Sequence, residues 1–195
     1  MNAIKLLLNN LMNRLEKISH FSVIVSGILL FASVAIISFE VLVRKLFTYS
    51  IGGADELSSY ILITASTWAF AYALFQKAHI RIDILYEKFS RKARSILDLI
   101  ALLFLMIFTL PLTYFAYEVL HTSIRKASTA NTPLQTPLWI PQLLWFAGLL
   151  GFCLVIGLFI TSTIVHFLVN DLEALGRLSG VTTLEESIEV EESTE

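Results

Sequence analysis

Residues 40–83 read EVLVRKLFTYSIGGADELSSYILITASTWAFAYALFQKAHIRID, and this stretch decides the fold class. Its apolar run from Leu57 to Phe75 contains no charged side chain, whereas acidic residues precede the run and basic residues follow it. A charged side chain near the centre of a bilayer costs roughly 3 kcal/mol or more, while charge at the headgroups costs little. The run is 19 residues long, which gives about 28 Å of helix and matches one hydrocarbon thickness. The stretch therefore predicts a helix that crosses a membrane.

The composition of the whole chain agrees with a membrane location. Hydrophobic residues make up 56% of its 195 residues, and charged residues make up 15%. Average soluble domains have about 45 to 50% apolar and about 25% charged residues. The single cysteine, Cys153, rules out an intrachain disulfide and gives no information on the redox compartment. The composition excludes an ordinary soluble domain and predicts an integral membrane protein.

Three other apolar runs are similar to the run from Leu57 to Phe75. Together they predict an all-α membrane protein with four transmembrane helices. The membrane domain extends over residues 21–169, and its spans lie at about residues 21–43, 57–76, 96–118 and 142–167. Between the third and fourth spans, Pro133, Pro137 and Pro141 predict a loop with no regular helix.

Two further segments are amphipathic. In residues 1–20, Leu and Ile side chains share one helical face, and Lys, Asn and Glu side chains occupy the other. Residues 82–94 repeat the pattern, with aliphatic and aromatic side chains opposite charged ones. Such helices lie in the membrane interface, so we expect interfacial helices before the first span and between spans 2 and 3. Residues 170–195 form an acidic tail, whose end we expect to be disordered.

The distribution of basic residues predicts the orientation in the membrane. With four spans, ten of the fourteen Lys and Arg residues fall on the side of the termini and the middle loop, and four fall on the other side. The side richer in Lys and Arg is normally cytoplasmic, so we expect both termini and the acidic tail in the cytoplasm. A basic loop beside a membrane favours contact with membrane lipid and not with nucleic acid.

The predicted spans contain no group that commonly binds a solute. Carriers usually bind substrates and ions near the bilayer midplane, often on interrupted helices. The centre of the second span offers only hydroxyls, from Thr64, Ser66 and Thr67. These three would have to line the pore if the chain were a self-sufficient oligomeric channel. We expect them instead to bond within their own helix or to a neighbouring one.

The sequence contains no catalytic motif. We therefore expect no enzyme activity, no catalytic or metal-binding residue and no cofactor. Histidines at span ends leave one alternative open, in which His20, His79 and His166 ligate a haem and the chain anchors a redox enzyme in the membrane. The remaining class is a protein that functions by binding partners.

Several residues around the first two spans occur in an order that resembles a known family. Glu40 and Arg44 close the first span, Asp55 and Glu56 open the second, Trp68 lies within it, and His79, Arg81 and Asp83 follow it. Over about residues 15–165, this pattern is similar to the small (Q), DctQ-like membrane subunit of tripartite ATP-independent periplasmic (TRAP) transporters. The family often has a tryptophan where this chain has Gly53.

The resemblance implies a role in secondary active transport at the bacterial inner membrane. Such subunits associate with a large (M) membrane subunit, which carries substrate and sodium. A periplasmic substrate-binding protein (P subunit) delivers the substrate, commonly an organic acid. The small subunit would then be a non-catalytic scaffold, and the eight residues named above are candidates for partner interaction or assembly. Of these, Glu40 and Arg44 are one helical turn apart and could also pair with each other.

Overall fold

The structure is a computed structural model that describes residues 2–50, 52–76 and 91–169. Over these residues it contains no β-strand and four helices: α1 (Asn2–Phe47), α2 (Ala54–Phe75), α3 (Arg91–Arg125) and α4 (Trp139–Leu168). All four are long and apolar enough to cross a membrane. The predicted fold class, an all-α membrane protein with four transmembrane helices, is confirmed.

The helices pack in the spatial order α1, α2, α4, α3. The two central helices, α2 and α4, run parallel, because successive aromatic residues of one meet successive aromatic residues of the other. Phe70 lies 5.5 Å from Phe152 between ring centroids, and Phe75 lies 5.2 Å from Phe159. α1 packs against the free side of α2, and α3 packs against the free side of α4. Among the described residues, each flanking helix therefore has a long apolar face that the other helices do not cover.

The apolar core lies towards the end of the bundle at which α2 and α4 terminate. Leu74 of α2 and Ile156 of α4 are buried there. Met12 and Leu15 from the first part of α1 pack against the same cluster. In a bilayer such contacts stabilise through close packing, since lipid is as apolar as these side chains. The beginning of α1 is therefore attached to the bundle.

The buried face of α1 consists mainly of small polar side chains, and of the predicted apolar face of residues 1–20 it includes Leu8. Its buried residues follow intervals of eleven, three, four, seven and seven, which keep them on one helical face: Leu8, Ser19, Ser22, Ser26, Ser33 and Glu40. By contrast, Leu7 is 63% exposed and Ile18 is 60% exposed, although both belong to the predicted apolar face. Small residues allow membrane helices to approach closely, which accounts for the choice of the serine face.

Two helix boundaries differ from the predictions. α1 is one uninterrupted helix of 46 residues, so a separate interfacial helix over residues 1–20 is not confirmed. Residues 91–94 of the predicted interfacial helix 82–94 are the first turn of α3, and the rest of that helix, like the tail 170–195, lies outside the described residues.

The predicted loop before the fourth span is shorter than the sequence indicates, because α4 begins at Trp139 and includes Pro141. The expectation that Pro141 lies outside regular helix is wrong. A proline in the first turn of a helix removes an N–H that has no partner within the helix, so it is tolerated there. The connection between α3 and α4 is therefore confined to residues 126–138.

Candidate assembly site

The turn between α1 and α2 meets the loop between α3 and α4, and we call this end of the molecule the loop end. Gly52 and Gly53 of the turn have φ angles of 72° and 90°, a region that disfavours side chains. Gly53 also caps α2, since its carbonyl accepts a hydrogen bond from the Leu57 N–H at 3.0 Å. A side chain at Gly53 would collide with Leu134 of the loop. A glycine is thus required at position 53 by the positive φ angle of the turn and by the close approach of Leu134.

Glu56 is the centre of a hydrogen-bonded cluster at the loop end, which we call the Glu56 clasp (Glu56, Tyr60, Thr132 and Thr136). The Tyr60 hydroxyl donates to one carboxylate oxygen at 2.9 Å, and the Thr132 hydroxyl donates to the other. Thr136 adds hydrogen bonds from its hydroxyl and its backbone N–H. The Glu56 side chain is only 8% exposed. A carboxylate with this many donors holds α2 to the loop between α3 and α4.

The loop has internal order that presents its threonines to Glu56. The Ala130 N–H donates to the Thr136 carbonyl at 2.9 Å, and the Leu138 N–H donates to the Ser128 carbonyl at 3.0 Å. The chain therefore doubles back on itself over residues 128–138, directly before α4 begins. This geometry brings Thr132, which is 76 residues from Glu56 in the sequence, into contact with it.

Glu40 lies at the same end of the bundle, near the end of α1. Its carboxylate accepts a hydrogen bond of 2.6 Å from the Ser50 hydroxyl, and the side chain is 6% exposed. Beside it is an open groove of about 340 Å³ between α1 and α2, lined mainly by apolar side chains that include Ile36, Phe39 and Leu57. Arg44, one turn further along α1, is exposed.

Trp68 joins the two central helices near the middle of α2. Its indole N–H donates to the Leu144 carbonyl of α4 at 2.8 Å. One turn further along α4, Gly148 lies so close to α2 that a Cβ there would be 2.6 Å from Trp68 Cδ1 and 2.6 Å from Thr67 Oγ1. Glycine at this position lets the helices approach closely enough for the indole hydrogen bond.

The structure brings together some of the predicted assembly residues and not others. Glu40 and Glu56 both lie at the loop end, whereas Trp68 forms a separate contact deeper in the bundle. Asp55 is exposed in the first turn of α2, where a negative charge suits the positive end of the helix dipole. The three residues after the second span, His79, Arg81 and Asp83, lie outside the described residues.

Sequence reasoning missed the partners of the predicted residues. Ser50, Thr132, Thr136 and Gly148 gave no signal on their own, because each acquires its role only through a neighbour from another part of the chain. The spacing of four between Thr132 and Thr136 in a proline-rich loop is the one feature that could have drawn attention to a shared function.

Two of the three hydroxyls that would have to line a channel form hydrogen bonds inside α2. Ser66 donates to the Leu62 carbonyl at 2.8 Å, and Thr67 donates to the Ile63 and Thr64 carbonyls at 3.1 and 3.0 Å. Ser66 is exposed and Thr67 is buried, so these two side chains do not form one polar surface. This bonding agrees with the expectation of hydroxyls bonded within the helices.

The two described histidines among the proposed haem ligands contact groups of the protein itself. The His20 ring lies 5.4 Å from the Tyr72 ring, and His166 Nδ1 is 2.8 Å from the Ser162 carbonyl of its own helix. Within the described ranges, no group of three or more His, Cys, Asp and Glu residues has a geometry that could hold a metal ion.

These observations define the class of protein: a four-helix membrane protein in which buried acidic groups tie loops and helices together at one end of the bundle. The family comparison then specifies it. Residues 33–166 match the family described as tripartite ATP-independent periplasmic transporters, DctQ component, and the match covers more than half of the chain. The chain belongs to this family and is the small membrane subunit of a TRAP transporter. A comparison with curated proteins finds no match.

Membership in the family confirms the resemblance and gives the coarse function. The chain is a component of a transporter, and the family implies association with a large membrane subunit and a substrate-binding protein. The matched range includes the Glu56 clasp and the Trp68 contact.

Proposed function

We propose that this chain is a non-catalytic scaffold that holds the large membrane subunit of a sodium-coupled TRAP transporter in a bacterial inner membrane. The complete transporter imports an organic acid, and the binding pocket for that acid belongs to the large subunit and the periplasmic substrate-binding protein. Family membership supports this assignment, and the contacts inside the bundle support the scaffold role.

The main support for a fixed scaffold is the way in which α2 and α4 are joined at two levels. The Glu56 clasp connects the start of α2 to the loop that leads into α4. About three turns deeper, Trp68 and Gly148 connect the helices directly. In secondary transporters, alternating access usually requires one rigid unit to rock against another. A helix pair joined in this way resists rocking, which suits the stationary part of such a machine.

The bonding of the hydroxyl groups supports a substrate site in another chain. Ser66, Thr67 and Thr109 each donate to a carbonyl of their own helix. Hydroxyls engaged in this way offer few free donors to a carboxylate substrate. The orientation has separate support, because Lys and Arg are more numerous on the side of the termini. This distribution supports a subunit with both termini in the cytoplasm and the loop end in the periplasm.

Reconstitution in liposomes tests the proposal. The substrate is first identified as the organic acid that most raises the melting temperature of the purified binding protein. Uptake of that acid is then measured with the chain alone, with the large subunit alone, and with both subunits, each in the presence of the binding protein and a sodium gradient. We expect uptake only with both subunits, and no uptake when potassium replaces sodium.

Two results would contradict the proposal in different ways. Uptake or ionic current with the chain alone would favour a self-sufficient channel. Full uptake with the large subunit alone would remove any need for a scaffold. A protease that cleaves the tail from one side of sealed vesicles gives the orientation independently, and cleavage from the periplasmic side would contradict cytoplasmic termini.

A further inference from the structure

At the end of the bundle opposite the loop end, a polar groove of about 470 Å³ lies between α1 and α2. We call it the polar groove, and its lining residues are Asn13, Glu16, Lys17, His20, Tyr72 and Gln76. The volume is within the range of small-ligand sites, about 300 to 1,000 Å³. The lining provides a cation, a carboxylate and several neutral hydrogen-bonding groups within one site. This mixture suits a ligand that carries both signs of charge.

The face of α1 that carries Glu16 and His20 becomes apolar and exposed further along the helix. From Glu16 and His20, steps of three and four residues lead to Ile24, Gly27 and Phe31, so these residues follow one another along one helical face. Ile24 is 48% exposed and Phe31 is 80% exposed. Gly27 has no heavy atom within 4 Å of the position where a Cβ would stand. A polar site is therefore continuous with an exposed apolar path that contains a gap.

We propose that this face of α1 binds a phospholipid with a primary ammonium headgroup, phosphatidylethanolamine, with its headgroup in the polar groove and an acyl chain along Gly27. A ligand with a polar end and an apolar end fits this change of character along the helix. The proposal does not depend on the transport role of the subunit.

The charges of the polar groove determine the choice of headgroup. The Lys17 ammonium can donate to the phosphate, together with the amides of Asn13 and Gln76. The Glu16 carboxylate can accept hydrogen bonds from the primary ammonium of phosphatidylethanolamine. Phosphatidylcholine cannot donate such bonds, because its quaternary nitrogen carries no hydrogen. An anionic lipid such as phosphatidylglycerol would also meet repulsion from Glu16. The ring of Tyr72 packs on His20 and forms the wall of the groove.

Native mass spectrometry of the purified full-length chain tests the proposal. The protein is delipidated in detergent and titrated separately with phosphatidylethanolamine, phosphatidylcholine and phosphatidylglycerol that have identical acyl chains. We expect phosphatidylethanolamine to bind about tenfold more tightly than the other two, the difference that one charge-assisted hydrogen bond gives. Equal binding of all three lipids would overturn the proposal, and so would a preference for phosphatidylglycerol or phosphatidylcholine.

Variants locate the site on the protein. Glu16→Gln should remove the preference for phosphatidylethanolamine over phosphatidylcholine, and Lys17→Gln should weaken binding of both about tenfold. Gly27→Leu should fill the acyl path and weaken binding of phosphatidylethanolamine by a similar factor. Its matched control is Gly151→Leu, because Gly151 on α4 also has no heavy atom within 4 Å of the place that a Cβ would take.

The control and the melting temperatures separate lipid binding from folding. A Cβ at either position meets no heavy atom within 4 Å, so we expect both variants to fold, and an unchanged melting temperature in lipid-free detergent confirms this. If Gly27→Leu and Gly151→Leu bind phosphatidylethanolamine equally well, the acyl path is refuted. If Glu16→Gln retains the preference for phosphatidylethanolamine over phosphatidylcholine, or if Lys17→Gln binds both lipids as tightly as the unsubstituted chain, the headgroup site is refuted.

Discussion

Replacing Gly148 by alanine is the sharpest test of the contact between the central helices. The added Cβ would be 2.6 Å from Trp68 Cδ1, 2.6 Å from Thr67 Oγ1 and 2.9 Å from Thr67 Cβ. Non-bonded carbon atoms prefer about 3.5 to 4.0 Å, so α2 and α4 must separate by roughly 1 Å at this level. The separation would also lengthen the 2.8 Å hydrogen bond from Trp68 to the Leu144 carbonyl.

The expected loss of stability is the balance of two destabilising effects and one stabilising effect. Overpacking a tight contact costs about 1 to 3 kcal/mol, and loss of the indole hydrogen bond adds about 1 kcal/mol. The higher helix propensity of alanine offsets up to about 1 kcal/mol. We therefore expect Gly148→Ala to lower the free energy of unfolding by about 1 to 3 kcal/mol, which corresponds to a fall of roughly 3 to 9 °C in melting temperature.

The measurement is thermal unfolding in detergent, with Gly151→Ala as the matched control. Gly151 is on the same helix but has open space at its Cβ position, so the control should be as stable as the original chain or slightly more stable. Trp68→Phe keeps an aromatic ring but removes the N–H donor and part of the indole, so its loss of stability sets an upper limit for the hydrogen bond. Equal melting temperatures for Gly148→Ala and Gly151→Ala would refute the close contact between α2 and α4.

Three further predictions concern the other contacts. Glu56→Gln should weaken the Glu56 clasp and speed hydrogen exchange in the loop between α3 and α4. The control Asp55→Asn changes an exposed neighbour and should leave hydrogen exchange unchanged. Equal hydrogen exchange in both variants would contradict the clasp. Ser26→Leu should overpack the buried face of α1 and destabilise the chain by about 1 to 3 kcal/mol in thermal unfolding, while the exposed control Ser38→Leu should not. Arg44→Gln should reduce co-purification of the large subunit more than it alters substrate choice; a changed substrate range with intact assembly would argue against an assembly role.

The sequence predicts four helices that are long and apolar enough to cross a membrane, because a bilayer imposes a simple rule. The absence of charge between Leu57 and Phe75 follows directly from the cost of desolvating charge, and α2 has nearly the same bounds. Glu56 was also recognisable, since it belongs to the acidic pair that opens the second span, and this pair is part of the resemblance to the family. The functional assignment came from the family resemblance, and the family comparison confirms its coarse part, the small membrane subunit of a TRAP transporter.

The sequence could not predict which face of a membrane helix is buried. In water, apolar side chains mark the inner face, but in lipid that preference disappears, because lipid accepts leucine as readily as the protein interior does. Leu7 and Ile18 are consequently exposed, while Ser19 and Ser26 are buried. The partner of Glu56 was equally unpredictable, because contact with Thr132 depends on how the loop folds back before α4.

The different kinds of contact in the bundle give its helices different freedom. The α2–α4 pair has the Glu56 clasp and the indole hydrogen bond of Trp68, both of which join separate elements. α1 is attached through Met12 and Leu15 at the core and through a face of buried serines, and the Ser22 hydroxyl of that face donates to the Ile18 carbonyl of its own helix, so it contributes close packing. Close packing alone yields more easily than packing with directional bonds. If the large subunit exerts force on this scaffold during transport, α1 should therefore shift before α2 separates from α4. The lipid proposed for the face of α1 would then lie against the helix that moves more easily.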